Sequence, residues 1–264
     1  MLAIVLERRD FREFDQIITL LTLEQGKITV LARGLKKITA KNASALEPSS
    51  LIEVEIVPGK EIAHLIKSQV IEIFASLRHD LKKIAHASTV LRLVDRLIKG
   101  EEPDARIFEL VRSFLFFIES SSAPAPGTIA GLVLKLVSEL GFTPILDRCV
   151  LCGVPLPPQA TYVFDLGGGG VICQACVEQK KFAEHQLVGN VSATTLDRLK
   201  FFLSAEWDEI QASHHEPAED DMVEALVYHF ALYHSGQKLP DWRNMKNIFN
   251  KVESPSSLAN ISEI

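Results

Sequence analysis

The first 80 residues contain no tryptophan and no tyrosine; Phe11, Phe14 and Phe74 are their only aromatic side chains. Protein folds that hold single-stranded nucleic acid commonly stack its bases on aromatic platforms. With so few rings, any such contact by this segment would run mainly through phosphates, without sequence readout. Phe11 and Phe14 are expected in the core or at an interface, not under a base. An excess of basic charge is missing as well. The 28 Lys and Arg against 34 Asp and Glu leave a net charge of −6, which excludes polyanion binding by global basicity. No apolar run reaches the roughly 18 residues of a membrane span; Lys135 interrupts the best candidate, 129–137. The apolar stretch at Met1–Leu6 is too short for a signal peptide. A cytoplasmic protein with no membrane partner is expected.

Cysteine is scarce, and its placement is informative. The chain has four, Cys149, Cys152, Cys173 and Cys176, arranged as two C-x-x-C pairs. Each pair can form a tight knuckle whose thiolates point at one ion, and two knuckles complete a tetrahedral four-sulfur site. Gly153 lets the first knuckle turn with positive φ. Two disulfides or free thiols are the alternatives, and disulfides would suit an oxidising compartment that the N-terminus does not indicate. Structural zinc is the better match. A catalytic zinc does not fit, because four thiolates leave no open position for water. His214-His215-Glu216 follows the cysteines instead of preceding them, the wrong order for a zinc deaminase. The glycine run 167–170 lacks a following Lys-Ser/Thr, so it is no phosphate loop. No nucleophile–base constellation stands out either, and the chain is read as a non-enzyme.

The 264 residues fall into an α+β, multidomain pattern. Residues 1–79 read as β: runs at 2–6, 17–23, 27–32, 51–57 and 62–74 are rich in Ile, Val, Leu and Thr, and 51–56 alternates strictly. Turns at 24–26 and 58–60 use Gly26 and Gly59. About five short strands fit a small closed barrel of the OB type; a sandwich fragment is the alternative, because strand count does not fix closure. From Leu81 the period becomes helical, with Ile84, Ala87, Leu91, Val94 and Leu97 on one stripe. Further helices are expected at 105–119, 128–140, 193–205 and 220–234, with a short one near 244–249. Of these, 128–140 is apolar enough to be central. The domains are thus a barrel over 1–79 and a helical domain over 80–264, with a zinc module at about 145–180 inserted. That module reads as a hairpin, with Gly189-Asn190 as a linker after it.

Charge is unevenly spread. From Gln25 to Leu46 there are five basic residues (Lys27, Arg33, Lys36, Lys37, Lys41) and no acidic one. Phosphate binding needs mobile cations along a groove, which this cluster could supply; a solvated charged loop is the plainer alternative. Arg8, Arg9 and Arg12 are secondary candidates, diluted by Asp10 and Glu13.

Several stretches, in order and spacing, resemble the RecO family of recombination mediators. They are Val5-Leu6 through Phe14-Asp15, Leu20 through Ile28, Ala32 through Lys37, and Ala45-Leu46-Glu47-Pro48. Leu140-Gly141-Phe142-Pro144 and Gly169-Gly170-Val171-Ile172-Cys173 follow, together with the four cysteines. The loop at 39–44 departs from the family in being less basic. The resemblance implies an OB barrel, a helical domain and an embedded zinc module. It further implies a role in recombinational DNA repair in the bacterial nucleoid. Family members bind single- and double-stranded DNA, anneal complementary strands, and work with RecR to load recombinase onto DNA coated by single-stranded-DNA-binding protein. Phe108, Phe114, Phe116 and Phe117 cannot all face one way; most belong to a core, and any left exposed would offer a groove for that binding protein's apolar C-terminal tail. A zinc-stabilised protein-binding adaptor with little DNA affinity is the alternative that the acidic total charge favours.

Overall fold

The computed structural model describes residues 1–35, 45–121, 124–125, 127–157, 161–179, 187–213 and 217–244. These fall into two compact units, 1–124 with 237–239, and 125–236 with 240–264.

The first unit is built on a closed five-stranded barrel. Its strands are β1 (Leu2–Asp10), β2 (Gln16–Thr22), β3 (Gly26–Ala32), β4 (Leu51–Val57) and β5 (Ala63–Glu72), in the order β1-β2-β3-β5-β4 with β4 returning to β1. All pairings are antiparallel except β3 with β5. This is the OB-type closure, and the sandwich alternative falls. Every second residue points inward, so Ala3, Val5, Ile18, Leu20, Ile28, Val30, Ile52 and Val54 form one buried cluster. Outside, Ile4 sits across from Leu21 and Leu51, and all three are buried. Helix α2 (Leu81–Leu97), which follows the short α1 (Ala75–His79), packs on β1.

Helix starts are set by local chemistry. The Asp80 carboxylate accepts from the Lys82 and Lys83 N–H groups, and Asp104 does the same for Arg106 and Ile107 at the start of α3 (Ala105–Ser120). The buried Lys83 ammonium donates to Ser76 Oγ (2.7 Å) and to the Glu119 carbonyl (2.8 Å). The Glu119 carboxylate in turn accepts the Ser76 and Leu77 N–H groups. Thus α1, α2 and α3 are fastened at one point. Phe108, Phe114 and Phe117 are buried, whereas Phe116 is part-exposed, with the Phe74 edge and the Arg112 guanidinium against its ring.

The second unit centres on α4 (Thr128–Glu139), whose residues from Thr128 to Leu134 are all buried. It packs against α6 (Ala193–Ser204), α7 (Trp207–Ala212) and α8 (Pro217–Ser235). Arg198 of α6 is buried with its guanidinium carbon 4.5 Å from the Phe202 ring centroid, donating to Ser213 Oγ. The small sheet has three strands, β7 (Gly170–Ile172), β6 (Thr161–Asp165) and β8 (Leu187–Ser192), in that order. This corrects the reading of Gly189-Asn190 as a linker. Both residues lie in β8, and Gly189 takes φ 109° where the register with β6 shifts. Helix α7 occupies the acidic stretch after Ala205, its start held by the Glu209 carboxylate accepting the Glu206 N–H. The short helix expected at 244–249 lies outside the described residues, as do His214 and His215. Among the described residues no helix is long and apolar enough to cross a membrane.

Candidate nucleic-acid interface and metal centre

The four cysteines converge. Their sulfurs all lie within 4.8 Å of one another, and Cys152 Sγ and Cys173 Sγ are 3.7 Å apart. Sulfurs at the corners of a tetrahedron with bonds of about 2.3 Å would be about 3.8 Å apart. The donor set therefore fits one tetrahedral metal ion, with the widest sulfur pair drawing in by no more than about 1 Å.

The local fold explains the convergence. The first knuckle closes through the Gly153 N–H donating to the Cys149 carbonyl (2.8 Å) and the Cys149 N–H donating to the Val154 carbonyl (2.9 Å). Gly153 takes φ 73°, as the turn requires. Cys173 precedes the one-turn helix α5 (Gln174–Glu178), and its carbonyl accepts the Cys176 and Val177 N–H groups. The two knuckles are tied together by the Val150 N–H donating to the Val171 carbonyl (2.9 Å). Gly170 is needed where it sits, since a Cβ there would meet the Ile145 carbonyl oxygen at 2.3 Å. Cys149, Cys173 and Cys176 are buried and Cys152 is exposed; none is in a disulfide. Burial opposes ionisation of Cys149, but N–H groups of Cys173, Cys152 and Leu151 outweigh it and bring the thiol down to about 6. Burial and then the neighbouring sulfurs push Cys176 up to about 12. With no cation, four adjacent thiolates cannot coexist; a divalent ion removes that conflict.

Among the described residues, the basic candidates do not form one patch. Lys27 opens β3 and Arg33 follows its end, roughly 20 Å away along an extended strand. The Lys27 ammonium donates to the Asp95 carbonyl (2.5 Å) and lies 3.4 Å from its carboxylate, so it fastens the barrel to α2. Arg8 pairs with Glu47 (2.5 Å) and ties β1 to the β3–β4 connection. Arg9 is largely exposed, 3.1 Å from Glu7. Arg33 is exposed and makes no ion pair among the described residues. Lys36, Lys37 and Lys41 lie outside the described residues.

At the Arg33 end of the barrel, two loops meet. The Gly34 N–H donates to the Asp15 carboxylate (2.9 Å), joining the β3–β4 connection to the β1–β2 hairpin. Phe11 and Phe14 on that hairpin are 47% and 43% exposed, so of the two places expected for them, core or interface, the core is ruled out. The reason is length. β1 runs on past Leu6 to Asp10, with its register shifting between Val5 and Glu7, and lifts the hairpin tip clear of the barrel interior. The local signal was available, since Phe11-Arg12-Glu13-Phe14 has no apolar alternation to bury either ring.

Two family models match this chain: Recombination protein O N terminal over residues 1–74 and Recombination protein O C terminal over residues 78–243. A protein of Geobacter metallireducens named DNA repair protein RecO is 35% identical over 175 residues, 66% of this chain and 70% of that one. The protein of that name from Anaeromyxobacter sp. (strain K) is 32% identical over 66% of this chain and 68% of its own length. A third, from Desulforamulus reducens, is 27% identical over 94% of this chain and 93% of its own.

Proposed function

The chain belongs to the RecO family, and on that premise we propose that it is a recombination mediator that binds DNA at the Arg33 end of its barrel. A role in DNA repair and recombination comes with the family. Binding of single- and double-stranded DNA, annealing of complementary strands, and loading of recombinase with RecR onto strands coated by single-stranded-DNA-binding protein are the finer reading. The observation that carries it is the meeting of the β1–β2 and β3–β4 loops beside Arg33, exposed and without an ion pair among the described residues. Lys36, Lys37 and Lys41 continue the same connection in sequence. Loops at one end of such a barrel are a common nucleic-acid surface. We further propose that the four cysteines hold a structural zinc, which closes its own shell and takes no part in DNA chemistry. RecR and the C-terminal tail of single-stranded-DNA-binding protein are the proposed protein partners.

The adaptor reading is favoured by one observation: Lys27 and Arg8 are committed to internal ion pairs, which leaves fewer cations for phosphate. Anisotropy titration of a labelled single strand across a salt series separates the two readings. Engagement of about five phosphates gives a slope of log affinity against log salt near −3.5. Arg33→Glu/Lys36→Glu/Lys37→Glu should flatten that slope and abolish tight binding. Equal binding by both proteins would move the DNA site elsewhere, and no binding by either would leave the adaptor.

A further inference from the structure

The β1–β2 hairpin carries two aromatic rings into water within four residues. Phe11 and Phe14 are 47% and 43% exposed, and the loop that presents them is closed by the Phe11 N–H donating to the Asp15 carbonyl (3.1 Å). The Arg12 guanidinium lies over the Phe11 ring, its carbon 5.0 Å from the centroid. Such a ring and cation form a flat, part-apolar surface on which a second π-system can stack.

Charge alone does not explain the tip. Arg9, Arg12 and Arg33 stand against Asp10, Glu13 and Asp15, so the balance there is near neutral. The Asp10 and Asp15 carboxylates are also engaged, accepting from the Gln16 amide (2.8 Å) and the Gly34 N–H (2.9 Å). The near-neutral hairpin tip adds little to the phosphate contacts of Arg33 and the lysines after it, but two rings and a guanidinium suit unstacked bases, which present a π-face whatever their sequence. The geometry points to Phe11, Arg12 and Phe14 as a base-stacking element that grips single-stranded nucleic acid at the barrel end. This rests on the proposal that the barrel end binds DNA, and it adds a contact that duplex, with its bases already stacked, cannot make.

The test titrates labelled oligothymidylate, and an abasic strand of equal length, against wild type and Phe11→Ala/Phe14→Ala at two salt concentrations. The variant should lose at least about fivefold in affinity for oligothymidylate. It should keep the wild-type salt slope and match wild type on the abasic strand. Phe11→Trp adds a direct readout: its extra fluorescence should be quenched by oligothymidylate and unchanged by the abasic strand. Equal affinity of variant and wild type for oligothymidylate overturns the inference while leaving DNA binding at the barrel intact. An equal loss on both strands overturns it too, because the tip would then act without bases. Failure of wild type to bind either strand removes the barrel-end reading and this inference together.

Discussion

Removing one metal ligand should open the cysteine module and leave the barrel closed. Among the described residues, the buried cluster around the sulfurs has only Ile172 as a buried apolar member, with Val150, Leu156 and Val177 partly buried against it. A fully buried side chain of this kind contributes about 1.5–3 kcal/mol, and these are mostly half covered. A structural zinc contributes on the order of 10 kcal/mol or more. The metal term is therefore larger than the apolar one, and Cys176→Ser forfeits most of it. α4, α6 and α8 pack directly on one another and use no residue of the module, so that core should persist while residues 145–178 open. Hydrogen exchange read by mass spectrometry is the suitable assay. Both tryptophans, Trp207 and Trp242, lie in the second unit, so their fluorescence reports nothing of the barrel. Protection should fall in peptides from 145–178 on adding chelator to wild type, and be low from the start in Cys176→Ser, with residues 1–74 unchanged in both. Wild type that is purified without zinc and exchanges identically with and without chelator would refute the reasoning.

Gly26→Ala should destabilise the first unit by about 2 kcal/mol or more, because Gly26 has φ 65° and its new Cβ would meet the Glu102 carbonyl oxygen at 2.4 Å. Urea-dependent exchange of barrel peptides measures it, and a wild-type midpoint would sink the claim. Lys83→Met should cost about 1–3 kcal/mol, since it strips the donor from Ser76 and from the Glu119 carbonyl, and Lys83→Ala should cost more by leaving a cavity. Burial holds His86 below its ordinary range, outweighing the Lys82 carbonyl and the Asp80 charge. A histidine kept neutral in the fold contributes stability that is present above its unfolded pKa of about 6.5 and lost as pH falls below it. The first unit should therefore weaken on acidification through that window, and His86→Gln should show a shallower loss in the same titration. Lys27→Met should lower stability by releasing Asp95 while leaving the salt slope of DNA binding unchanged. A slope reduced by about 0.7 would mean that Lys27 reaches a phosphate after all.

Short-range pattern was legible. The alternation of Leu51–Val57 and the stripe of Ile84, Ala87, Leu91, Val94 and Leu97 are local properties, and strands and helices stand where those periods place them, except that Ile84 is exposed and its neighbour Lys83 is buried. The cysteines were legible for the same reason: two residues between thiolates fix a knuckle whatever surrounds it. β8 was not, since Gly189 and Asn190 carry loop chemistry, and only pairing with β6 makes them a strand. Closure of the barrel depended likewise on β1 meeting β4 some 50 residues on. The candidate DNA site shows the limit most clearly. Lys27 and Arg33 belong to one basic run in sequence, yet a strand between them sends them to opposite barrel ends. Lys27 then meets Asp95, 68 residues away, while Arg33 meets no carboxylate among the described residues. A count of cations in sequence cannot separate the two. What separates them is which carboxylate the fold brings within reach, and only the cation left over can still exchange its counterions for a phosphate.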